Sequence, residues 1–375
     1  MSSSAAVEQD MTADCISVGE LQELLAAGKP VTVLDVRSPP DVDWEIPGAI
    51  HVDAYADLQS SRLGPVAKLD LPAGPVVTVC EVGRTAAIAT DLLRANGVDA
   101  LTLDGGMHAW SLAWNTAQAT ISGCEIVQVR RTGKGCLSYI VESESEAVVI
   151  DASVDPDVYV RLLRERGWRL VAVADTHIHA DHLSRSKLLA HLEGAALWLP
   201  AQDRTQYPFQ PVADGDRIAF GSTALVAMRT PGHTEESTTY LLDNTAAFTG
   251  DTLFLNSVGR PDLIDGTRQE LVSRARQLYM SVSGLLHLPE AAEVFPGHVS
   301  EPTPFDGRIL GTTVGTIRDT LALARLVETA FVEAVLARIP PDPPNHLRIV
   351  ELNERGEFPG NPSELEAGAN RCAVA

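Results

Sequence analysis

The 375-residue sequence has no apolar run approaching the roughly eighteen or more residues that a membrane-spanning helix needs. Its first 13 residues, MSSSAAVEQDMTA, hold no basic residue and no apolar core, so they do not read as a targeting signal. The expectation is a soluble, cytoplasmic protein with no membrane partner and a disordered leader over residues 1–13. Basic charge is scarce as well, with 29 Lys and Arg against 50 Asp and Glu and a formal net charge of −21. A surface of that sign repels phosphate, which excludes nucleic acid as a partner. Only four of the basic residues are lysines (Lys29, Lys68, Lys134, Lys187), a bias that a GC-rich genome also produces. The five cysteines (Cys15, Cys80, Cys124, Cys136, Cys372) are odd in number and form no CxxC pair. That excludes a disulfide framework and a structural zinc site, and leaves one thiol as a candidate nucleophile.

What the chain does contain is the run THIHADH at 176–182, with three imidazoles and a carboxylate on one short segment. In an extended segment side chains alternate, so His177 and His179 project to the same side, and Asp181 and His182 follow where the chain turns. The apolar run Leu170–Ala174 before the motif reads as a buried strand, and SRSKLLAHLEG after it reads as a helix. Three further segments repeat the placement: ALVAMRTPGHT ends in His233, TAAFTGDTLF carries Asp251 just past a strand, and AEVFPGH ends in His298. Each histidine alone is equally well read as a turn residue. Four strand ends that deliver such donors to one rim make a metal cup.

The length exceeds one typical core and predicts two or three domains, and a 45% hydrophobic fraction suffices to fill them. Residues 14–117 alternate strands (PVTVLDV, PVVTVC, DALTL) with helical stretches (SVGELQELLAAG, RTAAIATDLLRANG), the cadence of an α/β domain with a mostly parallel sheet. Residues 118–123 close the small, polar segment WNTAQATISG and read as a linker, with a second domain over 124–375. Cys80 ends a strand where the next residues open a helix. The helix's unpaired N–H groups and positive dipole end would lower its pKa and favour a thiolate or persulfide anion. Position alone fits a buried cysteine closing a core strand equally well.

Two resemblances extend these readings. The segments LDVRSPPDVDWEIPGAIHV (34–52) and LDGGMHAW (103–110) resemble the signatures that flank the active loop of rhodanese sulfurtransferases, and CEVGRTA at 80–86 matches their CxxGxTA loop. The resemblance gives Cys80 the sulfur-accepting role, with Arg84 as a second catalytic residue that restores anion affinity. Glu81 beside the nucleophile and Glu45 in place of the usual histidine before IPGA depart from the pattern. Both count against thiosulfate as donor more than against persulfide chemistry. From Cys124 to at least His298 the motif set resembles the metallo-β-lactamase fold superfamily, which includes binuclear zinc thioester hydrolases of the glyoxalase II type and mononuclear iron persulfide dioxygenases.

The fold class implied is an N-terminal α/β rhodanese-like domain followed by a C-terminal αββα metallo-β-lactamase-like sandwich, with a helical extension from about 301. Apolar spacing in TTVGTIRDTLALARLVETAFVEAVLARI predicts a helix or helix pair there. PPDPPNHLRIVELNERGEFPG is turn-rich, with His346 structural. The persulfide dioxygenase resemblance implies that His177, His233 and Asp251 bind one Fe(II) per chain, while His179, Asp181, His182 and His298 orient ligands and move protons. SVGRPDL at 257–263 looks like the segment whose arginine faces the thiol carrier in those enzymes, which nominates Arg260 for substrate binding. The partners implied are a low-molecular-weight thiol persulfide, O2, and thiosulfate or sulfite, and a homodimer stays open. In the hydrolase alternative Asp181, His182 and His298 bind a second zinc ion, and the rhodanese half is an attached sulfurtransferase or a non-catalytic docking module.

Overall fold

The computed structural model describes residues 14–38, 44–72, 74–264, 266–299, 306–368 and 370–374. The leader expected over 1–13, part of the first rhodanese signature at 39–43 and the expected start of the extension near 301 lie outside them. The chain divides after Ala113 into two compact units.

In the first unit the β-branched runs form a five-stranded sheet in the order Cys15–Ile16, Ala100–Leu103, Val76–Val79, Thr32–Asp35, Ile50–His51, and every pair is parallel. Central parallel strands are buried on both faces, so their sequences run apolar without alternation. Thr32–Asp35 and Val76–Val79 are buried throughout. Helix Val18–Ala26 starts at a capping box, in which Ser17 Oγ accepts from Glu20 N and the Glu20 carboxylate accepts from Ser17 N. Helix Arg84–Ala95 lays Ala86, Ala89 and Leu93 into a core shared with Leu34, Val76 and Ala100.

The second unit is built on two sheets. One runs Gln210–Val212, Ala196–Pro200, Arg169–Ala174, Glu146–Ile150, Cys136–Ser143, Cys124–Arg131, Asn115–Ile121. The other runs Arg217–Phe220, Thr223–Arg229, Thr238–Leu242, Ala246–Gly250, Glu293–Pro296, Thr312–Thr313. Tyr139, Val148 and Ala172 of the first share one core with Phe220, Leu225, Phe248 and Phe295 of the second. Helices Pro156–Arg166 and Ser186–Glu193 bring Tyr159, Leu163 and Leu189 against Val129, Ile140 and Val149. Helices Arg268–Leu285, Val314–Thr320 and Glu328–Ala337 bring Leu278, Val282, Ile317 and Val335 against Val294. Helices therefore cover both outer faces, and the αββα expectation holds.

Two expectations are corrected. The linker at 118–123 is instead part of the sandwich: Asn115–Ile121 is the edge strand of the seven-stranded sheet, paired antiparallel with Cys124–Arg131. Ser122 (φ 51°) and Gly123 (φ 79°) make the two-residue turn between them, the left-handed pair that a tight hairpin requires. Its small and polar composition is that of a half-exposed sheet edge. The turn-rich reading of 340–360 also gives way, because His346–Arg355 is a helix closed by Gly356 at φ 62°. The tail ends in Ala373–Val374, paired with Val258–Gly259.

In the first unit the second rhodanese-like signature meets the Cys80 loop. Met107 N and His108 N donate to Cys80 O and Glu81 O, and Gly106 sits at φ 56° where a Cβ would lie 2.2 Å from Cys80 O. Gly106→Ala should therefore destabilise this unit by at least about 1–3 kcal/mol from backbone strain alone, read as a lower thermal midpoint; an unchanged melt would mean that the loop yields without cost.

Candidate functional site

Three of the predicted ligands converge. His177 follows strand Arg169–Ala174, His233 follows Thr223–Arg229, and Asp251 directly follows Ala246–Gly250. His177 Nε2 and His233 Nε2 lie 3.9 Å and 3.6 Å from Asp251 Oδ2. Two donors on one ion with bonds of about 2.1 Å can stand at most about 4.2 Å apart. All three side chains are buried, and none of the three atoms has a hydrogen-bond partner. Leaving a buried polar atom unpaired costs about 1–3 kcal/mol, and three such atoms facing one point are what a bound cation would satisfy. The residues fit a divalent metal ion.

The tautomers follow from the partners. Thr176 Oγ1 donates its one proton to Asp151 Oδ2 at 2.8 Å, so it must accept from His177 Nδ1 at 2.9 Å. His233 Nδ1 faces the carbonyl oxygen of Arg260 at 2.9 Å, which can only accept. Both imidazoles therefore carry the proton on Nδ1 and turn the Nε2 lone pair toward Asp251. Burial holds His177 well below its ordinary value and lowers His233 too, so both are neutral, as a ligand must be. Asp151 and Thr176, which fix this arrangement, were not among the residues predicted; the Thr176 hydroxyl beside the motif was the available signal.

The other donors form a second group. His298 Nε2 lies 2.8 Å from Asp181 Oδ2 and its Nδ1 lies 2.6 Å from Asp251 Oδ1. His182 Nδ1 lies 3.0 Å from Asp181 Oδ1. Cys136, which the sequence did not single out, donates its thiol to Asp181 Oδ2 at 3.3 Å and stands 3.8 Å from His182 Nδ1. A bridge between Cys136 and His298 brings it there, at the start of its strand. Burial and Asp181 push the Cys136 thiol up, His182 and His298 pull it down, and it rests at about 7. Burial opposes charge on His182, but Asp181 and Cys136 together outweigh it and raise the imidazole to about 9. His179 stands beside both groups, its ring centroid 4.3 Å from those of His177 and His182. Its Nε2 comes within 3.2 Å of Asp151 Oδ1 without hydrogen-bond alignment.

The loop that carries these residues is held by the C-terminal tail. Asn353 Nδ2 donates to His179 O at 2.8 Å and His182 O at 2.9 Å, and its Oδ1 accepts from Ser184 N at 2.9 Å. Glu366, fully buried, accepts from Leu183 N at 2.6 Å and pairs with Arg131 and Arg185. Burial raises the Glu366 carboxyl, but the two guanidinium groups outweigh it and hold it low. Neither residue was predicted.

Arg260 is not where the resemblance placed it. Its side chain is fully buried, with Nε and one terminal nitrogen on Asp262, the same nitrogen on Asp342 at 2.8 Å, and the other on Pro341 O and Arg371 O. All five donors of the guanidinium are engaged, so it anchors the tail and has none left for a thiol carrier. Its carbonyl, as noted, orients His233.

In the first unit Cys80 Sγ accepts from Ala86 N at 3.3 Å, inside the first turn of helix Arg84–Ala95. Gly83 at φ 89° turns the loop into that helix. The thiol is largely buried and lines a cavity of about 670 Å³. Arg37, Tyr55, Glu81, Arg84 and Ile88 line it, with Glu81 and Arg84 exposed. Arg37 is itself paired with Asp35 at 2.6 Å.

Replacing Asn353 with Leu, which keeps the bulk and removes three hydrogen bonds, two of them buried, should cost about 2–4 kcal/mol at about 1 kcal/mol or more each. It should also weaken metal retention, read by denaturant unfolding and metal analysis of the purified variant. Wild-type values in both would show that the loop holds its shape without the tail.

Residues 17–113 match the model of the rhodanese-like domain, and residues 131–298 match that of the metallo-beta-lactamase superfamily. The persulfide dioxygenase ETHE1, mitochondrial, of Homo sapiens is 36% identical over 157 residues, 41% of this chain and 59% of that protein. The hydroxyacylglutathione hydrolase of Brucella anthropi is 34% identical over 173 residues, 43% of this chain and 63% of that protein. The chain thus spans about three-fifths of the length of these curated relatives. The crystal structure of ETHE1 from Myxococcus xanthus superposes with a TM-score of 0.53 at 26% identity, covering 65% of this chain and all of that one. The chain thus joins a region that matches the rhodanese-like domain to one that matches the metallo-beta-lactamase superfamily.

Proposed function

We propose that the chain is a persulfide dioxygenase with an attached sulfurtransferase. At one Fe(II), a low-molecular-weight thiol persulfide, O2 and water become the thiol and sulfite: RSSH + O2 + H2O gives RSH + H2SO3. The sulfane sulfur loses four electrons and O2 gains them. The observation that carries this reading is the contrast between the two donor groups. His177, His233 and Asp251 keep three unpaired atoms on one point, whereas Asp181 and His298 have hydrogen-bond partners on both carboxylate oxygens and on both ring nitrogens. Two histidines and one carboxylate are the donor set of non-haem iron oxygenases, and an iron held by these three residues would supply the redox chemistry by which O2 oxidises a sulfur substrate. His177 and His233 hold the ion as neutral ligands with their lone pairs fixed, and Asp251 supplies the negative charge. His298, hydrogen-bonded to Asp181 and Asp251, is placed to hold or pass a proton at Nε2. The persulfide dioxygenase relative favours this chemistry. In the rhodanese-like domain Cys80 exchanges sulfane sulfur with the carrier or with sulfite and thiosulfate, and the amide of Ala86 steadies its anion.

The hydroxyacylglutathione hydrolase relative keeps a second reading open, in which Asp181, His182 and His298 take a second zinc. Metal content separates the two, at one iron per chain against two zincs.

His177→Ala, His233→Ala and Asp251→Ala should each lose bound iron and, with it, persulfide-dependent oxygen uptake. Full iron occupancy in any one of them would remove that residue from the ligand set. Oxygen uptake measured across a panel of thiol persulfides on protein of known metal content would identify the carrier, and no uptake from iron-loaded protein with any of them would overturn the reading.

Cys80→Ser should abolish sulfur transfer and leave oxygen uptake with supplied persulfide close to wild type, because only transfer needs the thiolate. Loss of both in a folded variant would mean that Cys80 feeds the metal site.

A further inference from the structure

The reading above, on which this inference rests, leaves open what keeps the second donor group from taking an ion of its own. Asp181, His182 and His298 are of the types that bind zinc or iron, all are buried, and they crowd together. The Cys136 thiol stands among them, its sulfur within 4.8 Å of a donor atom on each of the three. It donates to Asp181 Oδ2, the oxygen that also faces His298 Nε2. Asp181 Oδ1 faces His182 Nδ1, and His298 Nδ1 faces Asp251 Oδ1. Of the nitrogen and oxygen atoms on these three residues, His182 Nε2 alone is without a partner. One free nitrogen does not hold a divalent ion, which takes at least three protein donors.

We propose that Cys136 sets the metal count: its thiol fills the space among Asp181, His182 and His298 and ties up Asp181, so that this half of the site stays free of metal. The position is fixed by the fold. Cys136 opens the strand Cys136–Ser143, and its neighbours are locked to the segment around His298 by Leu137 N to Gly297 O at 2.7 Å and Val299 N to Gly135 O at 3.0 Å. Gly135, at φ 92°, has no room for a side chain there, since a Cβ would meet Val299 O at 2.3 Å. The sulfur therefore cannot withdraw by a shift of the strand start. A smaller side chain at 136 leaves a pocket lined by a carboxylate and two imidazoles. A thiol there instead donates a hydrogen bond and excludes the ion by volume.

The test is metal stoichiometry of the full chain after reconstitution with excess Zn(II) or Co(II) and gel filtration. Wild type should hold close to one ion per chain, with no thiolate-to-cobalt charge-transfer band in the near ultraviolet. Cys136→Ala should approach two ions, whereas Cys136→Val, which keeps the bulk and loses the donor, should stay near one. If the alanine protein does not fold, Cys136→Gly takes its place, and a ratio above one supports the inference while a ratio of one overturns it. Wild type with one ion and Cys136→Ala also with one would overturn the role of Cys136 and leave the single-iron reading standing. Wild type with two ions would sink both, and a charge-transfer band in that protein would make Cys136 a ligand.

Discussion

The second unit is organised around one buried carboxylate. Asp251 is almost wholly withdrawn from water; its Oδ1 meets His298 and its Oδ2 has no partner. A buried, ionised carboxylate is costly unless opposite charge lies close by. Burial pushes its pKa up, but His298, hydrogen-bonded to Oδ1, pulls it down, and the group stays ionised. The backbone is shaped to admit it. A Cβ on Gly259 would lie 2.0 Å from Asp251 O, and one on Gly297 would lie 2.6 Å from Asp251 Oδ1. Gly250, at φ 49°, would drive a Cβ into Thr176 Oγ1 at 2.4 Å, the hydroxyl that sets the His177 tautomer. Three glycines thus let the carboxylate, the two imidazoles and their orienting hydroxyl pack without intervening side chains, and the geometry of the donors follows from that closeness.

How much of this the sequence disclosed depends on how local each contact is. The candidate donors were legible as a group because each follows a strand and carries its own short signature, THIHADH, PGHT, TGD or PGH, so that four local patterns define one rim. The Cys80 loop was legible for the same reason. Asn353 and Glu366 were not, since they reach the metal loop across 171 to 183 residues, and nothing in VELNERG or SELE marks an amide or a carboxylate destined for burial. Cys136 belongs to the same class, 45 residues from Asp181 and in a stretch with no motif. Arg260 shows the opposite failure. Its motif was recognised, but the tail residues Pro341, Asp342 and Arg371, 81 to 111 positions away, surround it and consume its donors. The misread linker is a matter of burial: the edge strand Asn115–Ile121 buries only Ala117, so its composition is that of a loop while its backbone belongs to the sheet. The Ser-Gly dipeptide after it was the overlooked hairpin signal.

The tail changes the meaning of the extension. It carries helices, as read, yet its function in the fold lies at its polar residues. Asn353 ties the carbonyls of His179 and His182, Glu366 ties the amide of Leu183, and strand Ala373–Val374 pairs with the strand that precedes Arg260. Between the ends of the motif, 175 to 185, the backbone has no helix or strand ladder of its own, so its amides and carbonyls need partners from elsewhere. The tail supplies them. A donor-bearing loop of irregular backbone is thereby held by hydrogen bonds from outside itself, as a site with little tolerance in position requires.

Charge balance links this rigidity to reactivity. Asp181 and Asp251 are both buried, and the imidazole of His298 stands between them with one nitrogen on each. Burial works against its protonation, but the two carboxylates outweigh it and raise His298 well above its ordinary range; Asp181 is correspondingly lowered. In a two-ion site a second metal would carry that positive charge. Here an imidazolium carries it, at the cost of occupying donors the metal would use. A proton in that place can be transferred, whereas a metal ion would stay fixed and polarise water. On this argument the same ring of side chains favours proton-coupled oxidation when His298 bridges the carboxylates, and hydrolysis when an ion replaces that bridge.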